Sequence, residues 1–238
     1  MKNRIILSLM MLCSLQLTAQ SFRQVKGNGQ VTTQERDLSD SFHAIHASNG
    51  IDVYLTSGEV ASLKVEADEN LHEIIVTEVS NGTLKITTNK NIGKSTKKKV
   101  YVTYIQLDNL YAEAGADIET KDILKSQKLD LLSNSGGDID IEVFSEYITA
   151  SASSGGDIEL KGKSINIDAN ANSGGEVDAK YLEVLHANAK ASSGGDVKVN
   201  AKETLKANAD SGGGVSYYGN PKETDIQAGF SGRVKKKN

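Results

Sequence analysis

The sequence has no tryptophan, one proline and one cysteine, and aromatic side chains make up only 5% of its 238 residues. This shortage of large rings argues against an ordinary globular enzyme core, in which Phe, Tyr and Trp supply much of the buried area. A single proline beside 22 glycines excludes collagen and proline-rich linkers. Hydrophobic residues at 38% and charged residues at 24% still allow a buried core, so the composition is not that of a disordered chain.

The first 19 residues have the pattern of a cleaved secretory signal peptide. Lys2 and Arg4 form a basic start, an apolar run extends from Ile5 to Leu17, and Ala19 supplies a small residue at the cleavage point. That run is short for a membrane span, and no later apolar run approaches the length of one. The only cysteine and all three methionines lie in this segment. We therefore predict an exported protein without disulfides, located in the periplasm, at the cell surface or in the extracellular space.

A repeat of the form Ser-Gly-Gly-Asp-Ile dominates the second half of the chain. The first glycines of its copies recur at intervals of 18 to 21 residues: Gly115, Gly136, Gly155, Gly174, Gly194 and Gly212. Apolar and polar residues alternate on both sides of each glycine pair, which indicates strands with one buried face. A unit of this length cannot close a core alone and must stack on its neighbours.

The repeat therefore predicts an all-β fold, a right-handed parallel β-helix or a closely related β-solenoid with coils of about 19 residues. Each glycine pair is expected to form a corner, because glycine accepts positive φ and lets adjacent coils approach closely. Such a coil has a narrow interior, which explains the shortage of aromatic residues.

The domain organisation follows from where this regularity begins and ends. Residues 20–39 show few strand cues and form a lead-in segment, while residues 40–238 form a single domain. Within it, residues 40–112 are an irregular β part, including a hairpin that turns at Asn81-Gly82. Residues 113–216 hold the regular repeats, and residues 217–238 are assigned to a C-terminal cap and tail.

Several segments, taken in order, resemble the bacterial putative auto-transporter adhesin head domain family, the GIN domain family. They are Phe42-His43-Ala44-Ile45, Gly50-Ile51-Asp52-Val53-Tyr54-Leu55, Asn81-Gly82-Thr83-Leu84-Lys85-Ile86, the Ser-Gly-Gly-Asp-Ile repeats, Tyr218-Gly219-Asn220-Pro221 and Ser231-Gly232-Arg233-Val234. The similarity covers roughly residues 40–235. It implies an exported bacterial β-solenoid protein in which the adhesin role is inferred from likeness to adhesin heads, and it implies no catalytic residues.

One candidate metal site is an acidic column that follows the glycine pairs. Its members are Asp138, Asp157, Glu176 and Asp196. Like charges at strand spacing repel each other, so a Ca²⁺ ion that bridges neighbouring carboxylates would relieve the repulsion. In the alternative interpretation, a short acidic residue satisfies backbone N–H groups at each corner and faces water. Calcium is the only cofactor that the sequence suggests.

A candidate binding surface is a polar column on the strand before each corner. Its members are Asn134, Ser153, Asn172, Ser192 and Asp210. A flat face of hydroxyl and amide groups suits a polysaccharide, and the alternative is a solvated face without a ligand. The expected partners are therefore a polysaccharide or a protein of the extracellular space or envelope. Nothing favours nucleic acid, because removal of Lys2 and Arg4 leaves 25 basic against 31 acidic residues, a net charge of −6.

Motifs of enzyme chemistry are missing from the sequence. There is no Gly-x-Ser-x-Gly elbow, no phosphate loop and no metal-ligand spacing around the four histidines. The main hypothesis is thus a non-enzymatic module that binds polysaccharide or protein. One alternative is a β-helix carbohydrate-active enzyme, for which a cleft with paired carboxylates would be diagnostic. Another is a self-assembling envelope element, because the ends of a solenoid expose strand edges.

Overall fold

The backbone of residues 24–238, as described in a computed structural model, forms one continuous 17-stranded sheet. The predicted signal peptide lies outside the described residues. The strands of the N-terminal part are β1 (Val31–Arg36), β2 (Ala44–Ala47), β3 (Asp52–Ser57), β4 (Ser62–Asp68), β5 (Ile75–Ser80), β6 (Thr83–Thr88) and β7 (Lys98–Tyr104). Those that follow are β8 (Asn109–Glu113), β9 (Asp117–Thr120), β10 (Leu124–Asn134), β11 (Asp138–Ser153), β12 (Asp157–Asn172), β13 (Glu176–Ser192), β14 (Asp196–Ala209), β15 (Gly214–Tyr218), β16 (Glu223–Ala228) and β17 (Arg233–Lys236).

Parallel pairing of successive repeats confirms the β-solenoid, which has about seven turns of roughly 19 residues and a less regular N-terminal part. Equivalent repeat positions stand in register, as in the series Ile139, Ile158, Val177 and Val197. This follows from the even spacing of the glycine pairs, because a constant step places the same residue type above itself in each coil.

Each coil turns at the glycine corner and bends again inside the long strands. At the bend two successive residues both face outward, as Glu146 and Tyr147 do in β11, so the in-out alternation slips by one. We call the stretch from corner to bend the trailing face (138–145 in this coil). The stretch from bend to the next corner is the leading face (147–153).

The interior is filled by small side chains on the leading face and larger ones on the trailing face. Ala150, Ala169 and Ala189 are buried in register on the former, whereas Ile158 and Leu160 are buried on the latter. A thin core of this kind leaves little room for aromatic rings, which accounts for their scarcity in the sequence.

The corners are tight turns in which two residues, not one, have positive φ. In the corner at 134–137, Ser135 has φ of 53° and Gly136 has φ of 71°, and the N–H of Gly137 donates to the Asn134 carbonyl at 3.1 Å. Positive φ at both central residues is the geometry of a type I′ turn. The glycine was expected to take positive φ, but the serine was not, because the left-handed region is uncommon for non-glycine residues.

The second glycine of each corner is required for a different reason, the approach of the coil before it. A Cβ atom at Gly156 would lie 2.7 Å from the backbone N of Asn134. A Cβ atom at Gly155, by contrast, would meet nothing within 4 Å. The two glycines of one pair therefore serve separate purposes, one conformational and one steric.

The N-terminal coils are stacked out of chain order. Strands β2 and β3 lie between the coil of β6 and β7 and the coil of β8 and β9. Strand β4 covers β7 and strand β5 covers β6, both antiparallel, and β1 adds a further antiparallel strand on β4. The predicted hairpin is present as β5 and β6, with positive φ at Asn81 and Gly82. A 3₁₀ turn at Glu69–Leu71 sits near this end.

Both ends of the described part, residues 24–238, contain more strand than the sequence indicated. The lead-in segment includes β1, whose polar composition hides it because five of its six residues are exposed. The segment assigned to a cap forms β16 and β17, which add one more coil through parallel pairing with β14 and β15. Within residues 24–238, no helix has the length and apolar character needed to cross a bilayer.

Candidate functional site

The acidic column is a real structural feature of the trailing face. Parallel pairing places Asp138, Asp157, Glu176 and Asp196 side by side on successive coils, with Asp52 and Asp117 continuing the column toward the N-terminal end. Neighbouring members are separated by one strand spacing, about 4.8 Å between backbones.

Repulsion within the column changes the proton affinity of its members. Partial desolvation of the carboxyl group, together with the charges of Asp138 and Asp52, raises the pKa of Asp117 to about 6. The same causes, desolvation and then the charges of Asp138 and Glu176, raise the pKa of Asp157. The column is therefore electrostatically unfavourable at its centre.

Lysine relieves part of this repulsion near the C-terminal end. Lys198 Nζ lies 2.6 Å from Glu176 Oε1 and 2.9 Å from Asp178 Oδ2, and its pKa is raised chiefly by the hydrogen bond to Glu176. Within residues 24–238, no group of three acidic, histidine or cysteine side chains is arranged to hold a metal ion. The calcium column therefore stays a prediction, and Lys198 is the neutralising partner that the geometry displays.

The raised pKa of Asp117 predicts a pH-dependent stability. Its carboxyl group titrates near pH 6 in the folded protein but near 4 in the unfolded chain, so the folded state holds more protons between those values. Stability should consequently fall as the pH rises from about 4 to about 6 and then stay level. Because Asp117 is exposed to solvent, water screens the repulsion, and we expect a change of only about 1 kcal/mol.

Thermal unfolding between about pH 4 and pH 8 tests this assignment. The variant Asp117→Asn should unfold at a higher temperature than the parent at neutral pH and should lose the slope between pH 4 and pH 6. Asp196→Asn, at the far end of the same column, is the matched control and should leave that slope in place. An unchanged slope in Asp117→Asn would show that another group is responsible.

The predicted polar column also stands in register, but on a flat part of the leading face. Asn134, Ser153, Asn172 and Ser192 are aligned on successive coils, and Asp210 follows the last residue of β14. Ser153 Oγ donates to Asn134 Oδ1 at 3.3 Å, so two members satisfy each other. None of these five residues lines the groove that runs along the same face nearer the bend.

A groove of about 700 Å³ runs along the solenoid on the same face, nearer the bend. Two columns of outward side chains line it. The first consists of Lys128, Tyr147, Asn166, His186, Thr204 and Glu223. The second consists of Thr149, Asp168, Asn188, Lys206 and Asp225, and Asp130 continues the same column just beyond the groove. With five coil-to-coil steps of about 4.8 Å, the groove is about 24 Å long.

Groups that form hydrogen bonds cover the groove, together with one aromatic ring. Tyr147 is 55% exposed, so its ring is open to a ligand. Asn188 donates to Asp168 Oδ1 at 2.8 Å, and His186 Nδ1 contacts Thr204 Oγ1 at 2.9 Å. The Oδ1 atom of Asn188 is buried and has no hydrogen-bond partner among the described residues. Because that atom is buried, a ligand cannot contact it in this arrangement.

The sequence analysis did not identify these groove residues. Their register follows the same repeat interval as the predicted column, but their side chains differ from coil to coil. The available signal was the slip in alternation at Glu146 and Tyr147, and again at Leu185 and His186, where both residues face outward. Such a slip marks a bend in the sheet, and here the groove lies beside the bend.

The histidines outside the groove have local partners. His46 stacks on Tyr111 with ring centroids 4.3 Å apart, and Glu113 accepts hydrogen bonds from the Tyr111 hydroxyl and contacts His46 Nε2. His43 lies 2.9 Å from Asp108. These contacts are pairwise packing arrangements rather than a shared metal site.

Comparisons with known proteins agree on the fold. The family model described as "Putative auto-transporter adhesin, head GIN domain" matches residues 41–221. A putative adhesin from Bacteroides fragilis has a TM-score of 0.82 at 20% identity, covering 90% of this chain and 100% of its own. A putative lipid binding protein from Parabacteroides distasonis has a TM-score of 0.73 at 23% identity, and the match covers 91% of this chain and 100% of its own.

A putative adhesin from Parabacteroides merdae has a TM-score of 0.70 at 22% identity, and the match covers 90% of this chain and 99% of its own. Comparison with curated proteins finds no match. At these identities the solved structures support the β-solenoid and leave the ligand open.

Proposed function

Because the chain belongs to the putative auto-transporter adhesin head GIN domain family, we propose that it is a binding module that holds an extended polysaccharide along the leading-face groove. The observation that carries the proposal is the groove itself. It is long and open, and the positions that line it recur at the coil interval although their side chains differ. A repeated surface suits a ligand that is itself a repeating polymer.

The chemistry of the lining favours sugars over an apolar ligand. Hydroxyl, amide, carboxylate, ammonium and imidazole groups occur along the two columns. All of them can exchange hydrogen bonds with sugar hydroxyls. The exposed ring of Tyr147 offers a flat apolar surface for the face of a sugar ring.

The proposal is for binding without catalysis. In the groove, Asp168 accepts a hydrogen bond from the amide of Asn188 at 2.8 Å, and Asp130, just beyond the groove, is engaged by Lys128 at 2.9 Å. Glu223 and Asp225 are two acidic residues on the last coil, both exposed. A glycosidase needs a carboxylate pair that flanks one bond, with one member able to act as an acid.

Export to the envelope or beyond, inferred from residues 1–19, would bring the groove to extracellular polymers.

The direct experiment is a glycan and matrix-protein array probed with the purified protein, followed by titration of the best polysaccharide. Tyr147→Ala should weaken that binding at least about fivefold, a loss of about 1 kcal/mol, because the ring is an exposed apolar contact surface within the groove. Tyr181→Ala is the matched control, since Tyr181 is 62% exposed but lies outside the groove.

The outcomes are separable. Equal binding by parent and Tyr147→Ala would move the ligand away from the groove. Binding to proteins and not to glycans would replace the polysaccharide with a protein partner. Shortening of a bound polysaccharide during incubation, abolished by Glu223→Gln, would establish an enzyme instead.

A further inference from the structure

The N-terminal end of the solenoid is capped by further strands, whereas the C-terminal end is open. At the N-terminal end, antiparallel strands cover the first coil, and Leu71, Ile74 and Ile75 are buried beside them. At the C-terminal end, β16 and β17 each pair on one side only among the described residues, with β14 and β15 respectively. All six residues of β16 are exposed. Within residues 24–238, the last coil therefore presents two strand edges whose backbone groups have no ladder partner.

The hydrophobic core continues to this open end. Ile226 stands in register with the buried Ala207, and Val234 stands in register with the buried Val215. Ile226 is nevertheless 44% exposed, and Phe230 at the adjoining corner is 88% exposed. Exposed apolar side chains beside unpaired strand edges are typical of a surface that pairs with another chain.

The two strands of the last coil carry opposite charge. Strand β16 contains Glu223 and Asp225 and no basic residue. Strand β17 contains Arg233, Lys235 and Lys236 and no acidic residue. Strand β16 pairs with the leading-face part of β14, and β17 pairs with the trailing-face strand β15, so the two lie on different faces of the solenoid. They run in opposite directions because the chain reverses at the turn 229–232, where the Gly232 N–H donates to the Gly229 carbonyl at 3.2 Å.

We propose that the protein forms a two-fold dimer through its last coil, with a second copy of this chain as the partner. A half-turn about an axis parallel to the strands brings β16 of each copy against β17 of the other. The two pairs are then antiparallel, and each joins an acidic strand to a basic one. The same operation brings Ile226 and Val234 of both copies together at the centre. Such an interface is isologous and closes after two copies.

Charge reversal provides a test in which two disrupted variants should restore each other. The acid-reversed variant is Glu223→Lys with Asp225→Lys, and the base-reversed variant is Lys235→Glu with Lys236→Glu. In either variant both strands of the last coil carry the same sign, so its own dimer should dissociate at least tenfold more readily. Mixed in equal amounts, the two variants again oppose acidic and basic strands, and a heterodimer should form.

Sedimentation equilibrium over a concentration series up to about 100 µM, at low and high salt, measures these states. The parent should dimerise, more weakly at high salt. Glu78→Lys, on edge strand β5 at the opposite end, is the control and should dimerise like the parent. Circular dichroism of each variant confirms that it is folded.

Three results would overturn the proposal. The first is a parent that is monomeric throughout the series. The second is a dimer that survives either reversal, which would place the interface elsewhere. The third is growth beyond two copies, which would indicate head-to-tail stacking of one end on the other.

Discussion

Replacing Gly156 by alanine is expected to destabilise the protein by about 3 kcal/mol or more. The new Cβ atom would lie 2.7 Å from the Asn134 N atom and 2.7 Å from the Ser133 carbonyl carbon. Both are backbone atoms of the preceding coil, which cannot move away as a flexible side chain would. Relief therefore requires that two coils separate, and their shared hydrogen-bond ladder would be stretched at the corner.

Gly155→Ala is the matched control for this prediction. It introduces the same methyl group one residue earlier in the same corner, where no atom lies within 4 Å. Its only penalty is the positive φ of 73°, which costs an L-residue about 1 to 2 kcal/mol. Urea unfolding followed by circular dichroism measures both variants. Equal losses would show that conformational freedom, and not close approach, explains the paired glycines.

Replacing Ile158 by alanine is expected to cost about 3 kcal/mol. The side chain is 1% exposed and stands in the column of apolar residues that fills the trailing half of the core. Its removal leaves a cavity that neighbouring coils cannot close, because their backbones are held at a fixed spacing by the ladder. Ile158→Val removes one methyl group and should cost about 1 kcal/mol.

Ile165→Ala, in the same coil, controls for the loss of isoleucine itself. Ile165 is 43% exposed at the bend, so the same substitution there should change the unfolding free energy by about 0.5 kcal/mol or less. If the two alanine variants lost equal stability, the thin interior would not be the main source of stability in these coils.

The regular coils were predictable because their signals are local. The spacing of the glycine pairs and the alternation around them lie within one repeat, and stacking is the only way to bury the resulting faces. The family and the acidic and polar columns followed from the same step. The stacking order of the N-terminal coils was not predictable, because the alternation in β2 and β3 does not specify which strands lie on either side.

The candidate site was harder to predict for a related reason. A groove depends on where the sheet bends, and the bend shows only as a slip of one residue at positions such as Glu146 and Tyr147. The side chains that line it share no residue type, so no repeat in the sequence marked them. Strand β1 escaped notice because it is an edge strand with five exposed residues and little apolar content.

The displaced position of β2 and β3 has a consequence for how the chain folds. Although these strands come early in the sequence, they pair with β6 and β7 on one side and with β8 and β9 on the other. Their partners β6 and β7 lie about forty residues further along the chain, about twice the separation between ordinary coils. The entropy cost of closing this long loop must therefore be met before the stabilising contacts form. We expect the folding of the N-terminal coils, which contain β2 to β9, to be the rate-limiting step. The remaining coils then add one by one to this folded part.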